Sequence, residues 1–177
     1  MTKTLDNLHQ EHHLISRLLD VLEEQVRLLE ENERADTRLI ADVAEYIMNY
    51  PDLYHHPKED LIFELLRYKD IGIVPVIDRL IGEHKTMTEM AMTLSALLAG
   101  PDNRSQSQLL VDLLRKYIDL SRSHMNIEEE KLFPSARQAL TEEDWIQIDT
   151  GFTCQGDPLF GDVIRKQYQH IYDSIIK

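Results

Sequence analysis

The sequence predicts an all-α fold, an antiparallel up-down-up-down four-helix bundle with an additional C-terminal helical tail. Three observations support this prediction. Apolar residues recur in steps of three and four, no segment shows a strand pattern, and turn-forming stretches divide the chain into segments of helix length. We expect residues 1–135 to form the bundle and residues 136–177 to pack on it within the same domain.

The first helix is predicted by an apolar stripe that runs from Leu5 to Leu29. The stripe has one gap, at position 12, where a histidine stands. His12 therefore points toward whatever the helix packs against.

The second helix is predicted over residues 37–66 and contains Pro51 and Pro57. Each proline removes a backbone hydrogen-bond donor, so we expect a kink there. Beyond the kink, His55 and Glu59 lie on one face of the helix.

The third helix is predicted to begin near Pro75, because proline suits a first turn, and to end at Gly100. Its apolar stripe also has a gap, filled by His84. The fourth helix is predicted from about Ser107 and ends or bends at Pro134. It carries an inward histidine and, one turn later, a glutamate: His124 and Glu128.

The tail is predicted to contain a short helix with Thr141 as its N-cap, then a glycine-rich loop and a last helix. The apolar face of the last helix has two possible roles. The pattern favours packing against the bundle, and the alternative is contact with a second copy of the chain in a homodimer. One face of this helix carries Phe160, Ile164, Tyr168, Ile171 and Ile175.

The four inward histidines are predicted to share one layer. Turns are predicted at residues 32–36, 69–72 and 100–105. His12 and His55 are nearly equidistant from the first turn, and the same holds for His55 and His84 at the second and for His84 and His124 at the third. Because an α-helix rises about 1.5 Å per residue, equal distances from a shared turn mean equal heights in the bundle.

This layer predicts a metal site. A spacing of four places the histidine and glutamate of each pair on the same side of a helix. Each unpaired carboxylate in a core lowers the free energy of unfolding by roughly several kcal/mol unless a cation neutralises it. The candidate ligands are His12, His55, Glu59, His84, His124 and Glu128.

Imidazole and carboxylate ligands without a thiolate suit iron, manganese or zinc. Six protein ligands are more than one tetrahedral zinc ion needs. Two ions bridged by Glu59 and Glu128, with two histidines each, would use every candidate ligand.

Four motifs resemble those of the hemerythrin-like, or HHE cation-binding, proteins, and the resemblance covers residues 5 to about 135. They are "EHH" (11–13), "HHPKED" (55–60), "EHK" (83–85) and "HMNIEEEKLFP" (124–134). The resemblance implies a four-helix bundle that holds two non-haem iron ions and reacts with dioxygen and related small molecules. The six candidate ligands would then be the iron ligands. "DPLFG" (157–161) also resembles the tail of a bacterial subgroup.

One position departs from the family pattern. Oxygen-carrying hemerythrins have a second histidine one turn after the third-helix ligand, where this chain has Thr88. His56 could replace the missing histidine as a ligand if the second helix bulges at its prolines. The sequence favours two other positions for the His56 side chain, in contact with a ligand but not with the metal, or facing solvent. His9 and His13 are expected on the surface, and Glu129 is expected to be solvated.

The chain has 177 residues and a formal net charge of −13, so neither nucleic acid nor an anionic membrane is expected as a partner. Its single cysteine, Cys154, permits no internal disulfide, which is typical of a reducing compartment. The sequence shows no signal peptide and no uninterrupted apolar run of membrane length. We therefore expect a cytoplasmic protein.

The leading functional hypothesis is a non-haem di-iron protein that binds dioxygen or a related small oxidant, peroxide or nitric oxide, for sensing, scavenging or iron handling. Manganese or zinc are alternatives to iron. A second hypothesis is a di-iron enzyme that turns over peroxide or nitric oxide or repairs iron centres. A third is a metal-free acidic helical interaction module.

Overall fold

The computed structural model describes residues 3–31, 33–100, 104–151, 159 and 166–175. The regular elements within these ranges are all helical, and no strand occurs among them. The all-α prediction is therefore confirmed. The α-helices are α1 Lys3–Glu30, α2 Thr37–Asn49, α3 His56–Lys69, α4 Val74–Leu98, α5 Arg104–Ile127, α6 Phe133–Ala139, α7 Glu142–Gly151 and α8 Gln169–Ile175.

Two π-helical turns interrupt what the sequence predicts as single helices. The turn Pro51–His55 lies between α2 and α3, and the turn Glu128–Leu132 lies between α5 and α6. The irregularity predicted at the prolines is therefore a π-helical turn. The fourth predicted helix does not end at Pro134, because that proline lies in the first turn of α6, where its missing N–H breaks no helical hydrogen bond.

Helix starts and ends follow local sequence signals. Asp36 caps α2, since its side chain accepts a hydrogen bond from the N–H of Leu39 at 3.0 Å. Pro75 lies in the first turn of α4, as predicted. The predicted cap of α7 is also present, because Thr141 Oγ1 accepts a hydrogen bond from the N–H of Asp144 at 3.4 Å.

The apolar core consists of two clusters on either side of a polar layer. One cluster contains residues of α2 and α5 and of the C-terminal halves of α1 and α4. The other contains the first residues of α1 and α4 together with residues of α3, α6 and α7. Along α1 the boundary between the clusters falls at His12, and along α4 it falls at His84. The stripe gaps in the sequence are therefore the places where each helix passes from one cluster to the other.

The described part of the tail packs on the first cluster. Leu159, Tyr168 and Ile171 are buried there, and the Tyr168 ring contacts the Tyr46 ring edge-on with centroids 5.5 Å apart. Phe160 and Ile164 lie outside the described residues. The division into residues 1–135 and 136–177 stays a prediction.

Among the described helices, none is both long enough and apolar enough to span a bilayer.

Candidate metal centre

The structure brings the six predicted ligands into the polar layer between the two apolar clusters. The four imidazoles are between 2% and 6% exposed, and both carboxylates are completely buried. The residues are His12 from α1, His55 at the end of the first π-helical turn, Glu59 from α3, His84 from α4, His124 from α5 and Glu128 at the start of the second π-helical turn.

One half of the layer is formed by His12, His55 and Glu59. Nε2 of His12 and Nε2 of His55 each lie 3.2 Å from Oε1 of Glu59. Nε2 of His12 also lies 3.4 Å from Oε2 of Glu128. Both imidazoles therefore present the same ring nitrogen to the same carboxylate oxygen of Glu59.

The other half contains His84 and His124. Nε2 of His124 lies 3.1 Å from Oε1 of Glu128, and Nε2 of His84 lies 3.5 Å from Oε2 of Glu59. The two Nε2 atoms are only 2.9 Å apart. If both carried lone pairs at this distance they would repel, so a proton or a cation has to lie between or beside them.

Two groups of potential ligand atoms result, and they share Glu59. Within each group, one atom from every residue lies within 4.8 Å of the others. The groups are His12, His55 and Glu59, and Glu59, His84, His124 and Glu128. The arrangement thus offers two neighbouring positions for cations, with a carboxylate common to both.

The chemistry of this donor set fits metal ions. Oε2 of Glu59 and both carboxylate oxygens of Glu128 accept no hydrogen bond from the described residues, although they are buried. Buried carboxylate oxygens without donors are rare in folded proteins because they lose their hydration without compensation. Cations at these positions would supply the missing interaction.

The electrostatics of the layer are dominated by contacts between imidazoles and carboxylates. Burial alone would raise the pKa of the Glu59 carboxyl, but the charge of His55 and a hydrogen bond with His12 outweigh it and lower that pKa well below its usual value. Burial alone would lower the imidazole pKa of His84, but hydrogen bonds with Asp60 and Glu59 raise it to about 10. Bound cations would therefore take the place of protons on these imidazoles.

A family comparison agrees with this geometry. The family model described as the hemerythrin HHE cation-binding domain matches residues 3–136. The chain belongs to the hemerythrin HHE cation-binding family. No curated protein and no solved structure gave a significant match.

In this hemerythrin-family chain, four acidic side chains form an outer ring around the layer and contact the imidazole nitrogens that face away from it. Each acid lies next to one site residue in the sequence but contacts the Nδ1 atom of a histidine from a different helix or turn. The Nδ1 contacts are His12 with Glu129 at 2.9 Å, His55 with Glu11 at 2.7 Å, His84 with Asp60 at 3.2 Å, and His124 with Glu83 at 2.9 Å.

The sequence patterns did not predict this ring. Glu129, predicted to be solvated, is 31% exposed, and its Oε1 also contacts Nδ1 of both His12 and His9 at 2.9 Å. His9 is 55% exposed and His13 is exposed, so both lie at the surface as expected. The available signal was an acid directly beside four of the six inward residues, His12, Glu59, His84 and Glu128.

His56 and Thr88 are the two positions linked to the missing fifth histidine. His56 is buried and does not face solvent, and burial lowers the pKa of its imidazole. Its ring stacks on the His84 ring with centroids 4.2 Å apart, and its Nδ1 lies 3.2 Å from Oδ1 of Asp52. Thr88 donates its hydroxyl to the backbone carbonyl of His84 at 3.1 Å, so it is occupied within its own helix.

A small cavity adjoins the layer on the side of the first apolar cluster. The volume that the centre of a water molecule can reach inside this cavity is about 20 Å³, which is enough for about one water molecule. The polar part of its wall includes His55, His56, His124, Tyr117 and Ser121. The remaining wall is mostly apolar, with Leu18, Ile47 and Met87 among its residues.

Proposed function

We propose that this chain holds two non-haem iron ions and binds dioxygen or a related small oxidant, for sensing, scavenging or iron handling. One observation carries the proposal: two buried carboxylates have oxygens that accept no hydrogen bond from the described part of the chain, and four histidine Nε2 atoms surround them. Imidazole and carboxylate donors without sulfur suit iron, manganese or zinc, and two sites sharing a carboxylate favour a metal pair over a single zinc ion.

The two groups divide the residues between the ions. His12 and His55 would hold one ion, His84 and His124 the other, and Glu59 would contact both. Glu128 lies near histidines of both groups, so it is the second candidate for a bridge. Bound iron would supply reversible oxidation and affinity for dioxygen, nitric oxide or peroxide.

The chain itself supplies orientation and exclusion of water. The acids behind Nδ1 fix each imidazole with Nε2 directed into the layer. Two phenylalanine rings cover imidazoles from the second apolar cluster, since Phe133 stacks on His12 and Phe63 stacks on His84. The cavity beside His56 and His124 has room for only about one water-sized molecule, which favours a very small ligand over an organic substrate.

We also propose the antiparallel up-down-up-down order for the bundle. The first residues of α1 and α4 share an apolar cluster with α3 and α6, which follow the two π-helical turns. The C-terminal halves of α1 and α4 share the other cluster with α2 and α5. This division is expected when consecutive long helices run in opposite directions.

Iron loading tests the proposed function. Protein loaded with ferrous iron under anaerobic conditions should retain about two irons per chain after desalting, and air should then raise near-ultraviolet charge-transfer absorption. Glu59→Gln should lose tight binding at both positions, because Glu59 belongs to both groups. Glu64→Gln is the matched control, an exposed glutamate on the same helix. A colourless, iron-free wild-type product would contradict the proposal.

His84→Leu separates the metal hypothesis from the interaction-module hypothesis. If metal binding is the function, the variant loads less iron and loses the stability that iron confers. If the layer serves no metal, replacing a buried imidazole with leucine should raise the melting temperature without any change linked to iron.

A steady-state assay with peroxide or nitric oxide addresses the enzyme hypothesis. Many turnovers per di-iron site would favour an enzyme, whereas one reaction per site would favour sensing or scavenging without turnover. Protein purified without chelators or added metal should be analysed first, because cellular supply decides part of the choice between iron, manganese and zinc.

A further inference from the structure

One hydroxyl in the wall of the small cavity, that of Ser121, has an unusual hydrogen-bond partner. Five other serine and threonine side chains donate to a backbone carbonyl four residues earlier in their own helix, which is a common partner for such a side chain. Ser121 on α5 instead donates to Sδ of Met87 on α4, at 3.4 Å, and both residues line the cavity. The five other residues are Thr86, Thr88, Thr93, Thr150 and Ser174.

The contact with Met87 holds the Ser121 hydroxyl only weakly. A thioether sulfur is a weak acceptor. Ser121 is 4% exposed, so bulk water does not offer its hydroxyl a better partner. A stronger acceptor in the cavity would therefore take over this hydrogen bond at little cost.

Tyr117 supports Ser121 as a donor. The two side chains share a hydrogen bond, and both lie in the cavity wall. Because the Ser121 hydrogen points to Met87, the Tyr117 phenol donates and Oγ of Ser121 accepts. Burial raises the pKa of the Tyr117 phenol, so the phenol keeps its proton. Consecutive hydrogen bonds polarise one another, so the Ser121 hydroxyl at the end of this chain becomes a stronger donor.

The same cavity adjoins the metal layer. His55 and His124 lie in its wall with Ser121, and each belongs to a different group of potential ligand atoms. Ser121 precedes His124 by three residues on α5, so the two side chains lie on one face of the helix. A very small ligand that extends from the layer into the cavity therefore meets a wall that carries a hydroxyl donor.

We propose that Ser121 donates a hydrogen bond to a small anionic ligand in this cavity, with Tyr117 as its positioning residue, and that the site therefore favours peroxide over nitric oxide. This inference rests on the proposed di-metal function and selects among its ligands. Peroxide bound as an anion carries charge on its oxygens, whereas nitric oxide is neutral. Hydrogen bonds to a charged acceptor are roughly twice as strong as those to a neutral one.

Cyanide is a suitable probe because it is a diatomic anion, similar in size to nitric oxide, with an acceptor nitrogen at its outer end. In the iron-loaded, oxidised protein, Ser121→Ala should weaken cyanide binding about tenfold or more and shift the infrared C–N stretch. The affinity of the iron-loaded, reduced protein for nitric oxide should stay the same. Ser123→Ala is the matched control, an exposed serine on the same helix, and should leave both affinities and the stretch unchanged.

Two further variants separate the hydroxyl from the space that it fills. Ser121→Cys keeps nearly the same volume but offers only a weak donor, so it should lose cyanide affinity as Ser121→Ala does. Tyr117→Phe removes only the supporting hydrogen bond, so the loss of cyanide affinity should be smaller. Iron stoichiometry, measured alongside, should remain that of the wild type in both variants.

The outcomes distinguish this inference from the proposed function. Unchanged cyanide affinity in both Ser121 variants, with both irons retained, contradicts the inference alone. Equal losses of cyanide and nitric oxide affinity also contradict it, because they indicate a general disturbance of the centre. A wild-type protein that retains no iron overturns the proposed function and this inference together.

Discussion

Each imidazole of the centre is held by an acid that lies beside a different site residue in the sequence. Glu83 precedes His84 but contacts His124, and Glu11 precedes His12 but contacts His55. The outer ring therefore ties neighbouring helices together around the layer. Loss of one acid should disturb a ligand on another helix.

Glu83→Gln tests this connection. The amide carries no charge, so it should hold the His124 imidazole less firmly and weaken iron binding about 10–100-fold. An iron titration measures the effect. Glu89→Gln, an exposed glutamate on the same helix, should leave the affinity unchanged. Equal affinities in the two variants would show that the contact has no role in metal binding.

The sequence could predict the inward residues but not the acids behind them. Gaps in apolar stripes identified His12 and His84, because a polar residue at a core position is visible from one helix alone. The acids point about 100° away from their inward neighbours, so on an isolated helix Glu129 reads as solvent-facing. Its contact with His12 depends on how two helices approach each other, which one helix pattern does not encode.

At the scale of elements, both histidine–glutamate pairs adjoin a π-helical turn. The first turn ends at His55, and the second begins at Glu128. Proline residues marked the first irregularity in the sequence, but no residue type identifies a π-helical turn as such. For this reason the sequence left the place of His56 open, and the structure shows it buried against the His84 ring.

The tail offers a stability test at the same scale. Ile171→Ala removes a completely buried side chain from the cluster that includes α1 and α2, so the free energy of unfolding should fall by about 2–5 kcal/mol. Chemical denaturation measures the change. Lys166→Ala, at an exposed position, should change the stability by less than about 0.5 kcal/mol. Iron stoichiometry should stay the same in both variants, since neither residue touches the polar layer.

At the scale of the whole molecule, the polar layer divides the apolar core. Glu59 and Glu128, with three carboxylate oxygens that accept no hydrogen bond from the described residues, lie where two apolar clusters would otherwise join. Folding therefore places charge at the centre of the protein, and bound cations would convert this unfavourable region into a cross-link between helices. The overall charge of −13 adds to the attraction for cations.

Iron removal should lower the melting temperature. At a free iron concentration about 1,000 times the dissociation constant, binding adds roughly 4 kcal/mol to the stability. For a chain of this size, that corresponds to about 8–16 °C. Calorimetry with and without a chelator measures the difference. The double variant Glu59→Gln, Glu128→Gln should melt at the same temperature in both conditions, and a wild type that did so would argue against tight loading.

The contact between Glu129 and His12 has a consequence for electron supply. His12 is 4% exposed, but Glu129 behind it reaches the surface, where exposed His9 meets the same carboxylate oxygen. If the layer holds the proposed irons, a reductant too large for the cavity would approach them through Glu129 and His12 on this face of α1 rather than through the apolar cavity.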